Sequence, residues 1–305
     1  TFISRMLWDC YGLNAYLKEH EILAKIIISL QNTSIKIEQA CQQIIYLHNV
    51  IPFSDYKWSF FKKSELKLLL YKYFYSFFIF LHANNETHFI VQSKWLKKIL
   101  VGKGISEDKV LVAQPEVNLP SFSDIPTIKL KPGRISAFYP ATNFDYKNHI
   151  EIVNALICMK NNALGYKDIV VYFTMPLNNS SEIYRTIEKH GLTENFQFLG
   201  HLSFSDVLSY YKSVDLILFP SRLETFGLPL IEAATFGKSI VAIDLEYSRE
   251  ALQNYNRVSY CKFNDSKSWS EQIQLMLKHK DTQPIFATSN GWGKIQKLIK
   301  NLTEK

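Results

Sequence analysis

Apolar positions in the second half of the chain fall in short unbroken runs, and amphipathic stretches separate them. The runs Arg134–Tyr139, Ile169–Thr174, Phe196–Leu199, Leu216–Phe219 and Ile240–Ile243 read as buried strands, since each is short, β-branched or aromatic, and bounded by polar residues. Between them, Asn148–Lys160, Ser181–His190, Ser205–Tyr211 and Pro229–Phe236 have helical spacing, and Gly191 and Gly237 supply C-terminal stops. This strict β/α alternation predicts a parallel sheet with helices on both faces. The first third is more mixed. Ile26–Leu30, Ile44–Leu47, Phe89–Val91 and Val110–Val112 read as strands, and the opening residues TFISRMLWDCYGLNAYLKEHE as helix. Lys62–Phe80 reads as a helix with Lys62, Glu65, Lys72 and Ser76 on one stripe and Leu, Tyr and Phe elsewhere. Such a helix either packs on its own domain's sheet or lays a basic, aromatic face on an anionic membrane, and the two are compatible.

Leu119–Gly133 has three prolines and no sustained apolar period, which marks a linker. The expected organisation is therefore a first α/β domain over 1–120, a linker over 121–133, a second over 134–290, and a C-terminal helix over 291–305 packing back toward the first. A chain of 305 residues is long enough for two such domains. Its net charge of +7 and pI near 9.0 favour acidic partners, but the charge is scattered. Without a clustered basic recognition element, nucleic acid is not expected. Cys10, Cys41, Cys158 and Cys261 lack metal-ligand spacing and read as free thiols of a reducing compartment. The sequons at Asn32, Asn85, Asn179 and Asn301 read as chance. No charged-then-apolar leader follows Thr1, and the most apolar run, Tyr73–Leu81, is too short for a bilayer, which takes about 20 residues.

The segment Asp215–Asp244 holds the candidate chemistry. A strand ending at Phe219 runs into a loop with Arg222, Glu224 and Gly227, and a helix follows with Pro229 in its first turn. The carboxyl end of a parallel strand is where ligands of open α/β sheets bind, and a helix N-terminus there attracts phosphate. Gly227 lets backbone approach a ligand closely. Glu224 and Glu232 flank this place, and carboxylates accept hydrogen bonds from vicinal hydroxyls. For two isolated glutamates, a solvated Glu224 and a Glu232 that complements the helix dipole would suffice.

SRLETFGLPLIEA and the following EA-x3-G-K-x-I-V-A, however, closely resemble the E-x7-E signature of the family-four retaining glycosyltransferases. The resemblance implies α/β GT-B architecture: two Rossmann-like domains facing a cleft, here with the first one incomplete. It also implies transfer of a sugar from a UDP- or GDP-linked donor to a saccharide or lipid-linked acceptor, with retention at the anomeric carbon, in surface polysaccharide biosynthesis. In the family, the first Glu (here Glu224) contacts the donor sugar, and the second (Glu232) holds the ribose hydroxyls. Backbone N–H groups at Phe226, Gly227 and Leu228 would meet the sugar and diphosphate. FYPATNFDYKNH, Phe138 to His149, resembles the first strand and loop of the same domain, so Lys147 would neutralise the departing diphosphate. Many relatives have an Arg about five residues earlier, where this chain has Ala141-Thr142-Asn143; Lys147 then acts alone, or Arg222 supplies the second cation. FLGHLSFSDVLSYYKSVDLILFPS resembles the family's strand, turn and helix before the motif. It makes Gly200 and Leu202 neighbours of the base and His201 a polar loop contact.

The amino-terminal half matches more loosely. Relatives often carry a His after its first strand, but this chain has Gln31-Asn32 there and His48 after the second. His48 is the catalytic candidate on that side, against the alternative that it bonds local backbone. Nothing before Ile26 resembles the glycine-rich acceptor loop, which leads to the expectation that the natural start is missing and a sheet edge exposed. No cofactor is expected, because the nucleoside-diphosphate sugar is itself a substrate, and no metal, because no DxD stands in the right place and no His/Cys cluster occurs. The resemblance further implies a cytoplasmic enzyme, peripheral on the inner face of the membrane. The competing readings are a non-catalytic nucleotide-binding remnant and a sugar-nucleotide epimerase or phosphorylase of the same architecture; the FGLP-containing motif argues against the last two.

Overall fold

The computed structural model describes residues 2–58, 60, 63–178, 181–278 and 290–304. The chain divides into two units, Thr1–Glu116 with Thr288–Lys305, and Val117–Ala287. The first opens with α1 (Phe2–Leu7), a π-helical turn (Trp8–Gly12) and α2 (Leu13–Glu19). It continues through β1 (Ile26–Ser29), β2 (Gln42–Leu47), α3 (Lys63–Phe80), β3 (His88–Val91), α4 (Lys94–Gly102) and β4 (Val110–Val112). The four strands pair in parallel in the order β1-β2-β3-β4, which leaves β1 at an edge. Their cores are short Ile/Val runs, as suits strands covered on both faces. The helix Gly291–Thr303 supplies one cover: Ile295, Leu298, Ile299 and Leu302 pack on Ile44, Ile90 and Ala113. The Asn32 sequon is buried, and its carbonyl oxygen accepts from the backbone N–H of His48. The Asn179 sequon and Lys62 lie outside the described residues.

α3 is turned the other way from its polar pattern. Glu65 is buried at 5% exposure and shares the inward stripe with Leu69 and Ile79, and Lys72 donates to the Tyr56 carbonyl. Leu66, Leu70, Tyr73, Phe74 and Phe77 form the outward stripe, with Phe74 61% exposed. Helical spacing defined the stripes correctly, but hydropathy did not say which one faces the sheet.

The second unit runs β5 (Ile135–Tyr139), α5 (His149–Asn161), β6 (Ile169–Phe173), α6 (Glu182–Lys189), β7 (Phe196–Phe198) and α7 (Phe204–Ser213). It continues with β8 (Leu216–Phe219), α8 (Leu228–Thr235), β9 (Ser239–Ile243), α9 (Glu246–Ala251), β10 (Val258–Cys261) and α10 (Ser266–Lys278). All pairings in its six-stranded sheet are parallel, in the order β10-β9-β8-β5-β6-β7. β6, β8 and β9 are buried along their whole length. From β5 the chain winds outward through β6 and β7, then returns to the other side of β5 with β8. The strand order thus reverses between β5 and β8, and the crevice beyond the carboxyl ends of these two strands is the topological switch point. The run 119–133 belongs to this unit and is tied to it by Lys212 Nζ, which donates to Phe122 O and Ile125 O at 2.8 and 2.6 Å. β10, α9 and α10 have no counterpart in the sequence expectation, because VSYC is short and only half-buried and carries no apolar run.

Candidate active site

The loops after β5 and β8 meet at the switch point. After β5, a single 3-10 turn, Asp145–Lys147, leads into Asn148, whose left-handed backbone (φ 57) redirects the chain into α5. Buried Tyr139 at the end of β5 pins this turn by donating its hydroxyl to the Lys147 carbonyl at 2.6 Å. After β8, buried Leu223 and Phe226 anchor the loop from within, and buried Tyr247 donates to the Ser221 carbonyl at 2.5 Å. The two loops are stitched by the Arg222 N–H, which donates to Tyr146 O at 2.8 Å. Across this seam Lys147 Nζ lies 2.5 Å from Glu224 Oε1, with side-chain exposures of 16% and 15%. Two residues 77 positions apart thus form one mostly desolvated ion pair.

Gly227 begins α8 with φ +82, and an added Cβ would lie 3.1 Å from the Tyr247 ring and 3.3 Å from Leu230. Both the backbone angle and the space therefore require glycine. Among the described residues no side chain caps this helix end, and no acidic residue sits in its first turn, so its positive end faces the crevice. Glu232 follows one turn later. Burial raises its pKa above the ordinary carboxylate value, and the hydroxyl of Tyr211 partly offsets this. That hydroxyl also donates to the Pro229 carbonyl at 3.0 Å, so Tyr211 braces both the helix start and the carboxylate.

The guanidinium of Arg222 stacks on Phe263 with its centre 3.7 Å from the ring centroid. The loop bearing Phe263 is itself held to α5, because buried Glu151 accepts from Asn264 N–H at 3.1 Å and Ser266 Oγ at 3.0 Å. Gly200 and Leu202 follow β7 on the same edge of the sheet. Gly200 is left-handed (φ +72) and donates to Met175 O at 3.1 Å, Leu202 is half-buried, and His201 is exposed. His48 belongs to the first unit. Its backbone N–H donates to Asn32 Oδ1 at 2.6 Å, and its ring Nε2 lies 3.2 Å from Asn32 Nδ2. Desolvation and the Arg5 charge keep its pKa below the ordinary histidine value. The second unit thus brings Lys147, Glu224, Glu232, Arg222 and the Phe226–Leu228 backbone into two adjoining loops and one helix. Tyr139, Tyr211, Tyr247 and Phe263, which support them, carry no signal in the local sequence. Among the described residues, no group of three or more His, Cys, Asp or Glu side chains could hold a metal ion.

His149, directly after Asn148, is 2% exposed and packed between Tyr139 and Phe173, and burial lowers its pKa to about 3. The unfolded chain therefore binds a proton that the folded chain refuses. The stability this neutral ring contributes is present above about pH 6.5 and is lost as pH falls toward 3. The His149→Phe variant is expected to flatten this fall, by an amount on the order of a few kcal/mol. Urea titrations of both proteins across that window check it, and parallel curves would refute it.

The two parallel α/β sheets match the GT-B glycosyltransferase fold. Residues 142–290 match the family of the glycosyl transferases group 1. Over 74 residues the chain is 34% identical to the N,N'-diacetylbacillosaminyl-diphospho-undecaprenol alpha-1,3-N-acetylgalactosaminyltransferase of Campylobacter jejuni, covering 24% of this chain and 20% of that one. Over 83 residues it is 30% identical to the O-antigen chain mannosyltransferase RfbU of Salmonella typhimurium, covering 27% and 23%. A 41.2 kDa protein of the Klebsiella pneumoniae cps region is 22% identical over 197 residues, covering 62% and 51%. The matches thus span from a fifth to about half of these relatives' lengths. Among solved structures, Anabaena HepE in complex with UDP and glucose superposes with a TM-score of 0.65 at 15% identity, covering 96% of this chain and 81% of that one. WaaG, a glycosyltransferase involved in lipopolysaccharide biosynthesis, gives 0.61 at 14%, covering 88% and 72%.

Proposed function

We propose that this protein transfers a sugar from a nucleoside-diphosphate donor to a saccharide or lipid-linked saccharide, with retention, in the assembly of a surface polysaccharide. The observation that carries the reading is the Lys147–Glu224 pair at the switch point, facing the uncapped start of α8 with Glu232 behind it. The diphosphate would take the helix N-terminus and draw the Lys147 ammonium from Glu224. The carboxylate so released would accept from a sugar hydroxyl, while Glu232 accepts from the ribose. As the bond from anomeric carbon to phosphate oxygen breaks, charge accumulates on the diphosphate where Lys147 and the α8 dipole stabilise it. The acceptor oxygen then bonds the same face of that carbon, and its proton passes to the leaving phosphate. Neither glutamate need be a nucleophile in this scheme, and neither a metal nor a cofactor is called for. The kinship with an O-antigen mannosyltransferase and a diphospho-undecaprenol-sugar transferase supports the acceptor class.

Titration with UDP, GDP and ADP, followed by thermal stability, tests the donor site. One nucleotide is expected to stabilise selectively by mass action, and Glu232→Ala to abolish the response. No response to any of them would sink the enzyme reading and the nucleotide-binding remnant alike. A lipid-linked acceptor also implies work at the inner face of the cytoplasmic membrane. The outward aromatic stripe of α3, with exposed Lys67 beside it, suits an anionic bilayer surface. Co-sedimentation with acidic phospholipid vesicles is expected for the parent and lost in Phe74→Glu; equal sedimentation of both would remove this contact.

A further inference from the structure

Glu232 is a half-buried carboxylate on α8, and its support comes from the neighbouring helix α7. Tyr211, near the end of α7, is fully buried, with its ring set against Phe138 at 5.7 Å and Phe236 at 5.8 Å between centroids. Such packing fixes where the phenol oxygen lies. The hydroxyl donates to the Pro229 carbonyl at 3.0 Å and also hydrogen-bonds the Glu232 side chain. Pro229 and Glu232 stand one turn apart on the same face of α8, which is why one hydroxyl reaches both. Burial, then the charge and hydrogen bond of Glu232 and the charge of Glu224, hold the phenol pKa well above its ordinary value, so Tyr211 stays a neutral donor. It has a single proton to give. With Glu232 ionised, that proton can serve the carboxylate. With Glu232 protonated, the carboxyl donates to the phenol oxygen and the phenol proton goes to Pro229. The nearby ionisable groups are engaged elsewhere: Glu224 pairs with Lys147, and Tyr247 donates to the Ser221 carbonyl.

We propose that Tyr211 is a positioning residue of the donor site: its hydroxyl presents Glu232 as a carboxylate to the vicinal 2′- and 3′-hydroxyls of a nucleotide ribose, and thereby makes the site select ribo- over 2′-deoxyribonucleotides. This rests on the reading of Glu232 as the ribose acceptor and extends it to the group that sets the state of that acceptor. A carboxylate accepts from both hydroxyls at once, whereas a neutral carboxyl carries a proton on one oxygen and offers fewer acceptor sites. Burial raises the Glu232 pKa and so opposes the carboxylate, while the Tyr211 hydroxyl favours it. Without the hydroxyl, burial acts unopposed, the protonated form persists to higher pH, and the diol loses an acceptor there.

The test compares the parent, Tyr211→Phe, Glu232→Gln and the double variant. Each is titrated by calorimetry with the nucleoside diphosphate selected by the stability screen and with its 2′-deoxy analogue, from about pH 5.5 to about pH 8.5, a window above the ordinary carboxyl pKa. The parent is expected to prefer the ribonucleotide about tenfold or more, the effect of one hydrogen bond to a charged group. Tyr211→Phe is expected to reduce that preference to within about twofold at the acid end and to regain most of it at the alkaline end, as Glu232 ionises. Glu232→Gln should abolish the preference at every pH, and adding Tyr211→Phe to it should change the preference no further. A parent without the preference overturns the inference. So does a Tyr211→Phe variant that keeps the parental preference throughout, or one that weakens both nucleotides equally and does so in the Glu232→Gln background too. A second readout uses no nucleotide: carbon-13 NMR of glutamate-labelled protein, with the Glu232 signal assigned by its loss in Glu232→Gln. The carboxyl is expected to titrate at higher pH in Tyr211→Phe than in the parent, and an unshifted titration overturns the inference. If the parent binds no nucleotide, the donor reading fails and the ribose role falls with it; if the parent binds and the titration is unshifted, this inference fails alone.

Discussion

Lys147→Ala is expected to lower the rate of sugar transfer by about 100- to 1000-fold, or about 3 to 4 kcal/mol of transition-state stabilisation, the size of effect seen when one preorganised charge-stabilising group is removed. The reason lies in where the ammonium is held. It sits in a site from which most water is excluded, so its charge acts on the leaving diphosphate with little screening. Its carbonyl is pinned by Tyr139, so the backbone that aims it does not shift when the side chain is shortened. Removing the ammonium also strands the Glu224 carboxylate in the same half-closed space, with an expected stability loss of about 1 to 3 kcal/mol. Lys147→Arg should recover part of the rate, because the charge returns with different geometry. Single-turnover assays with the nucleotide sugar selected by the stability screen, alongside nucleotide affinity, separate the two effects. A variant that binds nucleotide as the parent does and transfers at the parental rate would remove Lys147 from the chemistry.

Trp269→Ala is expected to cost about 3 to 5 kcal/mol of stability, the usual loss for truncating a large aromatic side chain in a packed core. Trp269 is fully buried on the face of α10 that meets the sheet, and its indole N–H donates to the Lys262 carbonyl at 3.2 Å. Truncation leaves a void and an unpaired carbonyl together. It also loosens the loop that follows β10, whose Phe263 supports Arg222 beside the crevice. A marked fall in the urea midpoint, with nucleotide stabilisation weakened beyond the global loss, is the expected pair of results. A midpoint within about 0.5 kcal/mol of the parent would show that α10 repacks without this side chain.

Most of the site was legible because its parts are local. The loop-helix carrying Glu224, Gly227 and Glu232 is a continuous stretch, and its spacing and its Pro and Gly positions state the strand-turn-helix without tertiary help. Lys147 was singled out by the resemblance of FYPATNFDYKNH to the family's first strand and loop, not by local spacing. The direct contact of Lys147 with Glu224 was not legible, because it depends on which strand lies beside β5. Tyr139, Tyr211 and Tyr247 look like ordinary core aromatics in sequence; only packing turns their hydroxyls toward the Lys147, Pro229 and Ser221 carbonyls. Which stripe of α3 faces outward was not legible, because a helix with aromatics on most of its surface has no hydropathy contrast strong enough to choose a face.

The sequence by itself determined the alternation of elements, the glycine stops of the helices, and the strand, loop and helix that place Glu224, Gly227 and Glu232 around the start of α8, since each depends on backbone preferences and periodicity within a dozen residues. Only the tertiary structure decided that β8 returns to the free side of β5, that Lys147 and Glu224 therefore share one crevice, and that the Tyr211 hydroxyl lies at the start of α8. Strand order in a parallel sheet is set by how whole β-α-β units bury their faces against one another, and that competition is settled by the assembled core rather than by any single segment.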